Sequence, residues 1–355
     1  MAVTKRNYGI DLLRIVSMLM VVILHVLSHG GILDALNGGV SVKYSAVWFL
    51  EAASDCAVNC YALISGYVGI NSNPSKKYRN IFKLYLNVIF YTVLISAGFR
   101  LLVPDSTSWT YVLQSFLPFW FNMYWYYTAY FCLSFFTSYI NSLINILDKK
   151  KMVTLIVTIM IFFSFIPIIF QKDFYLLKNG YSLLWLTLLY VVGGCLRRLR
   201  VATMFKKWQL GLFYVVPVII AWVVDVILKA NNVKGIESGF LIHYISPCIL
   251  ISSIALVLLF AKLDIKKSFI RKTISLFAAS SFSVYLIHEH PLIRKYLLMG
   301  STKFIANFPV VGMIGAILGV SVAIYLVCSG IDFVRVRISR AIGGQIKKRL
   351  FSERF

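Results

Sequence analysis

The sequence has 355 residues, of which 59% are hydrophobic and only 14% are charged. Soluble domains carry roughly a quarter charged residues, so this composition excludes an ordinary soluble protein and predicts an all-α, polytopic membrane protein. The formal net charge of +23 comes from short clusters of Lys and Arg between apolar segments. Membrane topology produces that pattern, and we therefore predict no nucleic-acid partner.

About ten apolar segments are long enough to cross a bilayer as helices. Lys and Arg are concentrated in every second connection, together with both ends of the chain. By the positive-inside rule, this alternation places both termini in the cytoplasm. The predicted spans cover, approximately, residues 9–29, 44–70, 80–103, 123–146, 152–170, 181–199, 208–229, 240–261, 273–298 and 308–334.

Two domains follow from this pattern. Residues 1–334 form the predicted transmembrane domain, without room for a soluble domain between the spans. Residues 335–355 repeat Arg and Lys at helical spacing, which is typical of a basic helix lying on anionic headgroups. We predict a cytoplasmic interfacial tail in that region.

The first span carries charges where an ordinary membrane anchor would have none. Asp11, Arg14 and His25 all lie within it, and ionisable groups at membrane depth are costly unless they face protein or water. Arg14 and His25 are eleven residues apart, so a helix projects them from one face, ~16 Å apart along its axis. Asp11 and Arg14 are i,i+3 neighbours and can form a local ion pair.

The second span adds a polar stripe made of Glu51, Asp55 and Asn59 at i, i+4 and i+8. A carboxylate from this stripe opposite His25 would orient the imidazole and raise its basicity. Alternatively, Glu51 lies among the outer headgroups and Asp55 bonds a neighbouring hydroxyl. Further along, Ser65 precedes a glycine that allows close approach of two backbones.

Three later groups of residues are candidates for the site. The basic cluster after the second span either reflects topology or binds phosphates. The aromatic residues at the start of the fourth span either form an interfacial belt or stack on sugars. The polar residues of the ninth span lie at the level of His25. The sequence contains no HExxH motif and its possible ligands are scattered, so we predict no metal. These groups are Lys76, Lys77, Arg79 and Lys83; Trp125 and Tyr126; and Tyr285, His288 and Glu289.

Taken in order, these elements resemble the acyltransferase 3 family of membrane acyltransferases, and the resemblance covers essentially the whole chain. Two departures are visible: Asn59 stands where the family has an aspartate, and the family's proline after the basic stretch is missing near Leu86. Either Asp55 or Glu51 substitutes for that aspartate, or no partner carboxylate is needed. The matching elements are Arg14-x10-His25, VNCYALISG at 58–66, KKYRNIFK at 76–83, YWYYTAY at 124–130 and SFSVYLIH at 281–288.

The resemblance implies an O-acyltransferase in the bacterial cytoplasmic membrane that uses acetyl-CoA, or another short acyl-CoA, as a co-substrate without a tightly bound cofactor. The acceptor would be a glycan or lipid-linked sugar hydroxyl. Arg14 and the basic cluster would hold the CoA phosphates on the cytoplasmic side, and His25 would act near the outer side. Tyr285, His288 or Asn59 would donate hydrogen bonds to the oxyanion. His25 acts either as a general base or as a nucleophile that is acylated first.

Two other classes of protein compete with this interpretation. A proton-coupled transporter or flippase also buries His, Asp and Glu in many spans, but it usually shows repeated halves and broken helices in paired positions. A glycan polymerase or ligase usually needs a large outer loop. The sequence leaves open the sugar, the acyl group and the oligomeric state.

Overall fold

The computed structural model describes residues 6–71, 77–233 and 239–352, with side chains as far as residue 341. Within these ranges the regular structure is entirely helical. We number the α-helices α1 Tyr8–Leu27, α2 Ile32–Leu36, α3 Val42–Ser54, α4 Ala57–Gly69, α5 Lys77–Leu102, α6 Trp109–Gln114, α7 Trp125–Ile146, α8 Lys149–Met160, α9 Ile166–Phe170, α10 Leu183–Arg198, α11 Val201–Met204, α12 Lys207–Ala230, α13 Pro247–Ala261, α14 Ser268–His288, α15 Pro291–Ile293 and α16 Val310–Ser352.

Helices occupy all ten places where the sequence predicts a span, but they differ in length and polarity. Six helical stretches among the described residues are long and apolar enough to cross a membrane. The α10 and α13 helices are shorter than this, and α7 and α14 do not fall within the six. The six stretches are Tyr8–Leu27, Val42–Gly69, Lys77–Leu102, Lys149–Phe170, Lys207–Ala230 and Val310–Ala341.

The α1 helix lies in the middle of the bundle. It packs against α3, α4, α13, α14 and α16, and most of its apolar side chains are buried. Asn7 caps its first turn by accepting a hydrogen bond from the Ile10 backbone N–H, 3.1 Å away. Because α1 is surrounded by protein, its polar residues face other side chains or cavities rather than lipid.

The second predicted span is interrupted. The α3 helix ends at Ser54 and α4 begins at Ala57, with a turn at Asp55 and Cys56. The cavity-facing stripe therefore runs from Glu51 and Asp55 to Val58 and Tyr61, and it does not include Asn59.

Close backbone contact joins α4 to α10. A Cβ on Gly66 would lie 1.9 Å from the Tyr190 carbonyl oxygen, and one on Gly193 would lie 2.2 Å from the Leu63 carbonyl oxygen. The glycines therefore allow the two helices to touch, as the Ser65–Gly66 pair predicts.

The last helix does not break where the sequence suggests the start of a separate tail. It continues from Val310 to Ser352. Arg335 Nε donates to Asp332 Oδ1 at 2.8 Å and to the Tyr91 hydroxyl at 3.2 Å. The first residue of the predicted tail is thus tied into the bundle.

Candidate active site

One face of α1 lines two cavities. The first, called the Arg14 cavity, is lined by Asn7, Ile10, Asp11 and Arg14 of this segment. The second, called the His25 cavity, has a volume of about 260 Å³. Steps of three and four residues place all these side chains along one side of the helix, as the Arg14–His25 spacing predicts. On α1 and just beyond it, the His25 cavity is lined by Met18, Val21, Leu24, His25, Ser28 and His29.

Asp11 holds two arginines at one end of α1. Its Oδ1 accepts a hydrogen bond from Arg14 Nη1 at 2.6 Å, and its Oδ2 accepts one from Arg6 Nε at 2.5 Å. The predicted i,i+3 ion pair is therefore present. Both guanidinium groups line the Arg14 cavity, and Arg197 of α10 joins them there. Three arginines against one carboxylate make this cavity suitable for an anion.

The described members of the predicted basic cluster, Lys77, Arg79 and Lys83, are not part of the Arg14 cavity. Lys77 donates from Nζ to the Phe135 carbonyl at 2.6 Å, and Arg79 and Lys83 are exposed on α5. None of the three lines the cavity. Lys76 lies outside the described residues. Arg197 of α10 lines the Arg14 cavity instead, because α10 packs on α4 and its last turn lies beside this cavity.

His25 contacts two acceptors at the end of α14. Its Nδ1 is 2.9 Å from His288 Nε2 and 3.1 Å from Glu289 Oε2. His288 Nδ1 lies 2.6 Å from the Val284 carbonyl oxygen, which only accepts, so this nitrogen carries a proton and Nε2 of the neutral ring accepts. The hydrogen bond to His288 therefore requires the proton of His25 to be on Nδ1, and the Glu289 carboxylate beside the same nitrogen favours that position. The lone pair of His25 is then on Nε2.

Glu289 is the carboxylate that supports His25. Its Oε1 accepts a hydrogen bond from Arg294 Nη1 at 2.6 Å, and its Oε2 lies between His25 and His29, whose Nε2 is 3.5 Å away. The expectation that Glu51 or Asp55 orients His25 is not met. The reason is that the C-terminal turn of α14 packs beside α1 at this level.

Glu51 and Asp55 line the same cavity, and each has a side-chain oxygen without a hydrogen-bond partner among the described residues. Asp55 is 7% exposed. Its Oδ2, like Oε2 of Glu51, is buried and accepts no hydrogen bond from the residues that the structure describes. Salt bridges in the described ranges do not include either residue. The hydroxyl partner expected for Asp55 is thus absent among the described residues, and the headgroup position of Glu51 stays a prediction.

Asn59 and Ser65 hold helices together rather than line the cavity. The Asn59 amide donates to the Tyr244 carbonyl at 2.7 Å and accepts from Trp185 Nε1 at 3.0 Å. Ser65 donates to the Tyr61 carbonyl at 2.9 Å. An oxyanion role for Asn59 is thus not supported, because its buried amide links α4 to α10 and to the segment before α13.

Tyr285 fits an oxyanion role better than His288. Its hydroxyl is buried, has no hydrogen-bond partner among the described residues, and belongs to the cavity lining. His288 uses both ring nitrogens, one on the Val284 carbonyl and one on His25. It therefore acts on His25 and has no N–H left for a substrate oxygen.

Aromatic side chains form much of the remaining wall. Trp125 and Tyr126 line the cavity as the sequence suggests. Trp125 lies 4.6 Å from Tyr181 and 6.3 Å from Tyr244, measured between ring centroids, and its ring is nearly parallel to that of Tyr244. Tyr61 also lines this cavity while donating to the Arg14 carbonyl at 2.5 Å, so it stands between the two cavities.

A metal ion is sterically possible at one point. Ligand atoms of His25, His29 and Glu289 lie within 4.8 Å of one another, and three protein ligands are usual in catalytic zinc sites. Here the Glu289 carboxylate is already paired with Arg294. The geometry favours a hydrogen-bonded network, and the expectation of no metal stays a prediction.

Several residues of the two cavities had no role in the prediction from the sequence. His29 follows His25 by one turn, and Arg294 follows Glu289 by five residues, so spacing alone could have suggested both. No local pattern marks Tyr181, Tyr244 or Arg197, which tertiary packing brings to the cavities.

Comparison with known proteins gives one match. A family model described as "Acyltransferase domain" matches residues 7–329. No curated protein and no solved structure matches the chain significantly. The match spans nearly the whole chain and includes both cavities, so the protein belongs to the acyltransferase 3 family.

Proposed function

We propose that the protein moves an acetyl or another short acyl group from acyl-CoA to a hydroxyl of a cell-surface or exported polysaccharide. The observation that carries the proposal is the arrangement of His25. Its Nδ1 faces two acceptors, so its Nε2 keeps a lone pair in a cavity bordered by a membrane-length helix. Membership of an acyltransferase family supplies the reaction class.

The donor enters from the cytoplasm in this proposal. Arg6, Arg14 and Arg197 gather at the Arg14 cavity and would bind the phosphates of acyl-CoA through charge-assisted hydrogen bonds. The pantetheine arm would follow the α1 face past Tyr61 to His25, ~16 Å away along the helix. Acyl-CoA is a co-substrate here, and the protein needs no tightly bound cofactor.

We infer the membrane orientation from the distribution of cations. Arg197, Arg198, Arg200 and Lys262 line a cavity that shares Tyr67, Asn71 and Arg197 with the Arg14 cavity. All of them come from connections that the sequence assigns to the cytoplasm. This supports ten spans, cytoplasmic termini and a His25 cavity toward the outside of the bacterial cytoplasmic membrane.

The chemistry replaces the C–S bond of the thioester by a C–O bond and moves one proton in two steps, from the acceptor hydroxyl to His25 and from His25 to the CoA thiolate. His25 Nε2 accepts the proton of the acceptor hydroxyl while its oxygen attacks the thioester carbonyl. The tetrahedral oxyanion accepts a hydrogen bond from Tyr285, the C–S bond breaks, and the proton leaves with CoA as the thiol. In the alternative route His25 Nε2 attacks the thioester carbonyl, the C–S bond breaks, CoA leaves as the thiolate and an acyl-histidine forms. The acceptor oxygen then takes the acyl group from Nε2, and the hydroxyl proton passes to the CoA thiolate. Acid quench under single turnover decides, since only the second route leaves acyl-protein.

The experiment that tests the function compares cell glycans with and without the gene by NMR. Loss of O-acyl signals with polymer length intact, and their return with the wild-type gene but not with His25→Ala, is the expected result. Shortened polymer would indicate a ligase instead. Accumulation of a cytoplasmic precursor would indicate a transporter.

A further inference from the structure

We propose that Glu51 and Asp55 form the acceptor subsite and that they select a neutral, polyhydroxylated sugar ring over an acidic one. The inference rests on the proposed acyl transfer and names the chemistry of the acceptor. It accounts for two carboxylates that the His25 mechanism does not use.

The first observation is that one buried oxygen of each side chain has no hydrogen-bond donor among the described residues. Asp55 is 7% exposed, and buried oxygens of both residues accept no hydrogen bond from the described part of the chain. Burying a carboxylate without donors is strongly unfavourable. Since both residues line the His25 cavity, a ligand there can supply the missing donors.

The second observation is the distance between Glu51 and Asp55, which determines what arrangement of hydrogen-bond donors a ligand needs. Glu51 and Asp55 are one helical turn apart, and Cβ atoms at this spacing are ~5–6 Å apart. Acceptors spread over that distance match several hydroxyl groups around a sugar ring better than one compact cation. A carboxylate has two oxygens, so it can accept from two neighbouring hydroxyls.

The third observation is the aromatic wall of the same cavity. Trp125 and Tyr181 have ring centroids 4.6 Å apart, and Tyr244 lies nearly parallel to Trp125. All three rings line the cavity together with the two carboxylates. A ring that is apolar on its faces and polar at its edge, as a pyranose is, can pack against such a wall and still reach Glu51 and Asp55.

The side chains around the cavity disfavour acidic acceptors. Three carboxylates, Glu51, Asp55 and Glu289, face one guanidinium, that of Arg294, and Arg294 is already bonded to Glu289. A uronate or phosphate group beside Glu51 and Asp55 would add an anion to a cavity whose one guanidinium among the described lining residues is already paired with Glu289. A neutral ring meets acceptors for its hydroxyls instead.

The test uses purified full-length protein in detergent with acetyl-CoA and measures release of CoA. The acceptor probes are the methyl glycosides of glucose, galactose and mannose, the uronates of the first two, and methyl 2-amino-2-deoxyglucoside. At least one neutral glycoside should stimulate CoA release, with kcat/KM at least tenfold above that of its uronate.

Glu51→Gln and Asp55→Asn should each raise the KM for the neutral glycoside about tenfold or more. Each variant should also reduce the discrimination against the uronate. The KM for acetyl-CoA should stay within twofold of the wild-type value.

The matched control is Asp34→Asn, which removes an equal charge from an exposed position on α2 and should leave both KM values unchanged. Equal use of uronates, preference for the amino sugar, an unchanged glycoside KM in both variants, or no stimulation by any neutral glycoside would each overturn the proposal. These failures differ from failure of the proposed function, in which the gene would add no O-acyl groups to cell glycans.

Discussion

At the residue scale, the position of one proton decides what His25 can do. Nδ1 faces His288 Nε2 and Glu289 Oε2, and this leaves Nε2 as the base or nucleophile of the proposed reaction. Histidines at reactive sites commonly depend on such a second group for the correct tautomer. The two residues at the end of α14 are therefore positioning residues, since they act on His25.

Substitution of His288 or Glu289 should lower kcat more than it changes the KM for acetyl-CoA. We expect His288→Ala to lower kcat about a hundredfold and Glu289→Gln to lower it less, because His288 still fixes the tautomer. The KM for acetyl-CoA should change by less than about threefold. Steady-state CoA release by purified variants measures both parameters. A large rise in KM with kcat unchanged would contradict the positioning role, and thermal unfolding would identify a variant that has merely lost its fold.

The structure makes a different prediction for the donor site than the sequence does. Arg197 lines the Arg14 cavity and Arg79 does not. A hydrogen bond to a charged group contributes about 1.5–3 kcal/mol, so Arg14→Ala and Arg197→Ala should each raise the KM for acetyl-CoA roughly tenfold or more. Arg79→Ala and Lys83→Ala are matched losses of charge and should have little effect. The reverse result would restore the basic cluster as the donor site.

Part of the candidate site was predictable from the sequence, and the reason is local geometry. Asp11, Arg14 and His25 share one helix, and helical spacing fixes which side they occupy. The partner of His25 was not predictable in the same way. Glu51, Asp55 and Glu289 all lie near its level, and only the packing of α14 against α1 selects Glu289.

At the element scale, helix packing accounts for the residues of the VNCYALISG segment at 58–66. Asn59 bonds Trp185 of α10, and Gly66 leaves no room for a side chain against Tyr190. The segment therefore fastens α4 to α10, which carries Arg197 to one cavity. Its residues act on the site through the position of helices.

A methyl group at Gly66, where α4 contacts α10, should lower the stability of the protein. Gly66→Ala places a Cβ 1.9 Å from the Tyr190 carbonyl oxygen, and overpacking typically destabilises by about 1–3 kcal/mol. We expect a lower thermal unfolding temperature in detergent and a weaker acetyl-CoA interaction through displaced Arg197. Gly98→Ala is the control, because a Cβ there has no neighbour within 4 Å. Equal stability of the two variants would disprove the tight contact.

At the scale of the whole molecule, the two cavities imply a direction across the membrane. Gly38 lies near the His25 end of α1, after α2, and Lys150 lies at the start of α8 in a basic connection; both are exposed. We expect Gly38→Cys to react with a membrane-impermeant maleimide on intact cells. Lys150→Cys should react only after permeabilisation. The opposite labelling would reverse the orientation and place His25 toward the cytoplasm.

The natural cysteines provide the background for that measurement. Four of the six are buried and two are partly buried, so the unsubstituted protein should label weakly on both sides. Strong labelling without an introduced cysteine would mean that the packing differs from the one described here.

The sequence by itself determined the helical, membrane-spanning class and the face of α1 that carries Arg14 and His25, because apolar composition and helical periodicity are local properties. The tertiary structure decided which residues meet that face. Glu289 and His288 reach His25, Arg197 reaches the Arg14 cavity, and Asn59 turns away to α10. These contacts depend on how separate helices pack. The spacing of residues within one helix does not determine which neighbouring helix its face contacts.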